Sequence, residues 1–439
     1  MRFTMRGRAS AGCTGTLAAI TLLVACGDGG PSEGGDTAEA CKKDGVICTF
    51  MGTGESGLGH DGMPPTEVAL YLPQDLSFSP DGQVYVLDWN NHRIRTLVDG
   101  KVETVIGTGY LGDATDGPAR DVSLNHPTHV AFDDQGRLIL SAWHNSKVMR
   151  YDPEDDTLVT LCGIGKRDYA GDGGPAVAAI LDLPVATAFD REGRLLIMDQ
   201  ANQRIRRVDR DDVITTVVGP NAEFEPAPKG LEPVCTDMPM PGANACKLCL
   251  SAEAADPTCA PRKPQGFLGD GGPGTEALMY QPFSQSAPPA GRMEMAADGT
   301  LYFCDTGNHR VRALREDGTV ETVAGGGPEA FDRDFGGGYS GDGGPALKAR
   351  MRFPTDVAVG KHGALFIADK DNSCVRKVDG DGEITTVAGI CDERGDDGDE
   401  GPATDAHLNR PYGIALDGDG NLYIADTHNH RIRVVWGVD

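Results

Sequence analysis

The chain has 439 residues, among them 60 Gly, 28 Pro and 12 Cys, and a formal net charge of −26. That acidity argues against a nucleic-acid partner, since Lys and Arg neutralising phosphates supply most of the affinity for a polyanion. Gly and Pro fall at spaced turns, so they punctuate many short elements and do not form a disordered tract.

The first 26 residues read as a targeting segment: Arg2, Arg6 and Arg8 give a positive start, and Gly12 to Val24 form an apolar run too short to span a membrane as a mature helix. Leu23-Val24-Ala25-Cys26 resembles the bacterial lipobox. That resemblance implies cleavage after a signal peptide of residues 1–25, lipidation of the Cys26 thiol, and an exported chain anchored in the cell envelope. Residues 26–45 follow as a flexible tether, having too little apolar content to fold. With Cys13 and Cys26 accounted for, ten Cys remain, and an even number in an oxidising compartment predicts disulfides. Cys41 and Cys48 make a plausible short loop, while Cys162 and Cys304 occupy strand positions that hold Ala in other copies and read as buried thiols.

From Val46 onward one frame recurs. It reads Asp88…Asn91…Arg93-Ile94-Arg95, Asp199…Asn202…Arg204-Ile205-Arg206, Asp305…Asn308…Arg310-Val311-Arg312, Asp369…Asn372…Val375-Arg376 and Asp426…Asn429…Arg431-Ile432-Arg433. A weaker copy, Ala142-Trp143-His144-Asn145, lacks the Asp. Copies start at 88, 142, 199, 305, 369 and 426, close to the length of one propeller blade except for one long step. Each period carries four short alternating runs parted by Gly, Asp or Asn turns, the pattern of a four-stranded antiparallel sheet. Six such sheets packed around an axis cover one another's apolar faces. The expected fold is therefore all-β, a six-bladed propeller over 46–439, with blades at 72–107, 127–163, 184–219, 291–325, 354–389 and 411–436. Ile47-Cys48-Thr49-Phe50-Met51 reads as a last strand with no blade before it, and the final blade stops after its third strand, so the two are expected to close the ring together.

The long step holds an insertion, 220–267, rich in Pro, Ala and Cys and without the repeat, for which a degenerate seventh blade is the rival reading. Its Cys235, Cys246, Cys249 and Cys259 are candidates for two disulfides pinning a recognition loop. A lone Cys-x-x-Cys lacks the second pair that a zinc ribbon needs.

The stretches Asn90-Asn91-His92-Arg93-Ile94, Asn308-His309-Arg310-Val311 and Asn429-His430-Arg431-Ile432 resemble the NHL repeat. The resemblance implies a propeller that serves as a binding platform, or in some members as an enzyme. The five repeated Asp and their Asn read as turn-holding pairs, with Asn in the left-handed backbone region, and the Arg stems as cover between blades whose heads reach carboxylates. The Gly-Asp-Gly-Gly-Pro loops (Gly171 to Pro175, Gly269 to Pro273, Gly341 to Pro345) open no helix and read as links between blades.

Aligning the innermost strands brings Asp75, His129, Ala186, Arg292, Asp356 and Gly413 to one level of the channel. The expected function is a binding module for a protein, peptide or glycan, which needs no catalytic set and no cofactor. The alternative is a metal-dependent lyase or lactone hydrolase, with Asp75, His129 and Asp356 holding Ca or Zn, His129 also moving protons and Arg292 stabilising an oxyanion.

Overall fold

The structure, a computed structural model, describes residues 41–220, 267–283, 287–326 and 337–439. The lipobox, most of the tether and the four Cys of the insertion lie outside the described residues.

Six antiparallel sheets form the predicted ring. Blade three shows the unit, with strands Pro184–Phe189, Leu195–Asp199, Arg204–Val208 and Ile214–Val218 from the inside out. Each innermost strand packs on those of its two neighbours, which sets the ring order and places blades one and four on opposite sides of the axis. The apolar residues fill the spaces between blades, as in the cluster of Leu196, Met198, Met293 and Phe303 shared by blades three and four. In blades two, four, five and six a two-residue Gly-Pro strand borders the outer edge, for example Gly272–Pro273 on Thr319–Ala324. The loops read as links thus also blunt the edges, Pro offering no N–H for further pairing.

Ring closure follows the expectation. Val46–Met51 pairs antiparallel with Arg431–Val435, Ile47 facing Val435 and Thr49 facing Arg433. Gly52 shows that this strand is the fourth of blade six. It sits at φ +105° and a Cβ there would lie 2.6 Å from the His430 carbonyl oxygen, just as a Cβ on Gly107 would collide with the His92 carbonyl in blade one. Tyr423 of blade six lies edge-on to Phe50 of the closing strand and to Phe78 of blade one, ring centroids 5.0 Å apart in each case. Cys41 and Cys48 form a disulfide beside the closure, Cys374 and Cys391 form another, and Cys162 and Cys304 are buried free thiols.

The repeated polar frame is architecture, with one correction. Asn91 donates to Asp88 at 2.8 Å and to the Gly57 carbonyl at 2.8 Å, while the other Asp88 oxygen accepts from the Tyr71 amide. The residue in the left-handed region is not the Asn but its successor: His92, Ser146, Gln203, His309, Ser373 and His430 all have φ between 51° and 58°. Asn stays in the preceding turn because its side chain is needed to reach the Asp. In blade two, where Ala142 replaces the Asp, the Asn145 side-chain oxygen accepts the Asn125 amide instead. In every blade but the second, the Arg that closes the frame (Arg95, Arg206, Arg312, Arg376 and Arg433) is fully buried and reaches the carboxylate of the preceding loop, as Arg206 does with Asp172 at 2.6 Å and Arg433 with Asp399 at 2.6 Å.

Candidate functional site

The six aligned residues do form one level of the channel, because each sits one register step before the end of the second strand of its blade. Arg292 dominates this level. From blade four its guanidinium crosses the axis to Asp75 of blade one, Nη1 to Oδ1 3.2 Å, to Asp356 of blade five at 3.4 Å, and to the Thr128 carbonyl of blade two at 2.8 Å. Gly413 leaves the room for it: a Cβ there would lie 2.5 Å from Nη1. Backbone amides complete the carboxylates, Val130 donating to Asp75, and Val357 and Ile414 to Asp356. Burial pushes both carboxyls upward and Arg292 pulls them back.

The sequence therefore placed Asp75, Arg292 and Asp356 together correctly, but as a closed cluster barring the channel. His129 turns to blade three, its Nδ1 accepting the Thr187 amide at 3.3 Å, and burial with the nearby Arg292 pushes its pKa down to about 3. Among the described residues no group of three or more His, Cys, Asp and Glu is placed to hold a metal ion.

Glu294, which sequence reasoning passed over, lies two residues beyond Arg292 on the same innermost strand. Period-two alternation, which puts Glu294 on the face of Arg292, was the available signal. Its carboxylate accepts the Val359 amide at 3.1 Å, and burial, then the charge of Asp356, raises its pKa to about 8. A carboxyl protonated in the folded state and ionised in the unfolded chain costs stability as pH rises from 4.5 through 8. Glu294→Gln keeps the acceptor for Val359 and is expected to raise the melting temperature relative to wild type increasingly across that window, with no gain at pH 4.5. Equal melting temperatures at pH 8 would show that this carboxyl carries no such cost.

Above the Arg292 cluster the channel mouth opens into a cup of about 260 Å³. Its lining comes from the residues preceding two of the ring positions, Gln74 and Tyr412, from the turns after the second strands, Trp89, Trp143, His144 and His428, and from the segment that holds Pro288 and Pro289. Two of the three Trp of the chain meet here. Trp143 stacks on His144 at 4.1 Å, and Trp89 lies 4.5 Å from His126, ring centroid to centroid. Gln200 fixes one wall, accepting from Trp143 Nε1 at 3.0 Å and donating to the Pro288 carbonyl at 2.9 Å. Burial pushes the pKa of His144 and of His428 down to about 4, so both are neutral at pH 7.

These features define an NHL-repeat β-propeller with a preformed cup at its channel mouth. A family profile described as the teneurin NHL domain matches residues 44–239 and 316–395, and an NHL repeat profile matches 408–435. The chain belongs to the teneurin NHL domain family. Teneurin-1 of Mus musculus is 26% identical over 418 residues, and Teneurin-m of Drosophila melanogaster 26% over 427; each match covers 89% of this chain and 13% of the relative. The chain thus spans a small part of the length of these relatives. Among solved structures, auxiliary nutrient binding proteins from Bacteroides thetaiotaomicron and Bacteroides ovatus share the fold, with TM-scores of 0.56 and 0.55 and identities of 16% and 15%. Those matches cover 90% and 89% of this chain and 76% of each of the others.

Proposed function

We propose that this propeller is a binding module of the bacterial envelope, anchored through a lipid on Cys26, that receives a protein, peptide or glycan ligand at its channel mouth, with the insertion 220–267 as a second contact. The observation that carries the reading is the aromatic cup, concave and walled by residues already locked by their own hydrogen bonds and stacking. The floor supports binding over turnover: Asp75, Arg292 and Asp356 satisfy one another, so none of the three stands ready for a substrate. A binding role is in keeping with the two nutrient binding proteins that share the fold.

Immobilised propeller, incubated with an envelope extract, tests the proposal. The wild type is expected to retain a ligand that a Trp89→Ala variant of equal melting temperature does not, and a variant lacking residues 220–264 is expected to retain less. Equal retention by the wild type and Trp89→Ala would remove the cup from the account.

A further inference from the structure

We infer that the ligand of the cup is a neutral saccharide, entering end-on as the last one or two sugar rings of a glycan. The inference rests on the channel-mouth reading above and narrows it to one chemical class.

Three observations converge. Flat ring systems dominate the walls. Trp143, itself 1% exposed, backs the half-buried His144 at 15°, and Tyr412 lies 18° from parallel to His428 with centroids 6.4 Å apart, so the rings with surface left for a ligand are Trp89, His144 and His428. Aromatic faces are electron-rich and attract the weakly positive C–H face of a pyranose ring, a contact that needs no charge. Second, polar atoms of three lining residues have no hydrogen-bond partner among the described residues: Gln74 Oε1, Trp89 Nε1 and His144 Nε2. Gln74 is 3% exposed. Buried polar atoms are nearly always satisfied, so such a concentration around one cavity marks partners supplied from outside. One is an acceptor, one a donor, and an imidazole nitrogen serves as either. Hydroxyl groups, which both donate and accept, meet all three; a carboxylate or an ammonium meets only part of the set.

Third, the cup is uncharged. Among the described residues no Asp, Glu, Lys or Arg lines it, although the chain as a whole carries −26. Its two histidines are neutral at pH 7, and the ions beneath it are paired with one another. The cation recorded against a wall, Lys370, has its Nζ 5.0 Å from the Tyr412 ring centroid and is paired with Asp371 at 3.3 Å, so a charged ligand would lose its hydration here without meeting an unpaired counter-ion. Size and closure limit the rest. At about 260 Å³ the cup is smaller than the ~300–1,000 Å³ of pockets that enclose drug-sized ligands. Arg292 bars the channel below, so a polymer cannot thread through and only its end can enter.

The test is a tryptophan-fluorescence titration of the purified propeller with glucose, galactose, mannose, N-acetylglucosamine, cellobiose and chitobiose. Glucuronate and glucosamine serve as charged counterparts, and N-acetyltyrosinamide and N-acetylphenylalaninamide, which carry no indole, as aromatic peptide probes. At least one neutral sugar is expected to give a saturable change, and its charged counterpart a weaker one. Gln74→Met, which conserves shape and removes the acceptor, should raise the Kd of that sugar about tenfold with the melting temperature retained. An unchanged Kd in Gln74→Met overturns the assignment. Saturation by the aromatic amides alone overturns the saccharide class while leaving the channel-mouth reading in place, and silence from every probe overturns both.

Discussion

Arg292→Met is expected to destabilise the propeller by about 3–5 kcal/mol, the cost of removing one partner from a buried ionic cluster. Asp75 and Asp356 are 2% and 6% exposed, and each would be left with backbone amides alone around its charge. Both carboxyls would take up protons more readily, so the loss should be larger at pH 8 than at pH 5, where protonation relieves the uncompensated charge. Adding Asp75→Asn and Asp356→Asn to Arg292→Met should recover most of the stability, because the buried charges are then gone. Chemical denaturation of the three proteins at both pH values checks this. A loss under about 1 kcal/mol, the scale of a solvent-exposed ion pair, would show that the cluster does not brace the ring.

Removal of Val46–Met51 should have a still larger effect. The strand contributes Ile47 and Met51, both fully buried, to two different interblade clusters, and it covers the open edge of blade six. Without it the ring has two uncovered blade faces and one long unpaired edge, and the whole stability of a domain is only about 5–15 kcal/mol. The shortened chain is expected to elute from a sizing column as aggregate or associated species. Supplying Val46–Met51 as a free peptide is expected to restore some monomer. A folded monomer without the strand would mean that the ring closes by another route.

The fold was legible because its repeat is both local and polar. Asp88, Asn91 and Arg95 lie within eight residues of one another and bond to each other, so their spacing announces the turn they hold. The closing strand was legible for a related reason, since Val46–Met51 is a fourth strand without its first three. Blade two kept its turn after losing the Asp because Asn145 assumed the contact, a substitution that only coordinates display.

The site was half legible. Strand periodicity identified Asp75, Arg292 and Asp356 as neighbours in one ring, but not which groups pair across the axis. That pairing depends on the length of Arg292 and on the space left by Gly413 on another blade, distances that no sequence spacing encodes. The cup was missed for a different reason. Trp89 and Trp143 directly follow the last residue of the second strand in two adjacent blades, inside a frame read as structural throughout. Gln200, Thr306, Lys370 and Thr427 stand there elsewhere, so the pair of Trp in neighbouring copies was the available signal.

Fluorine NMR of the propeller labelled with 5-fluorotryptophan tests the central claim, binding at the channel mouth, most directly. Only three resonances arise, from Trp89, Trp143 and Trp436, and Trp436 lies beyond the third strand of blade six, away from the cup. On titration with the sugars and amides above, the Trp89 and Trp143 lines should move together and saturate while the Trp436 line stays in place. Three unmoved lines, or a shift confined to Trp436, would contradict the account.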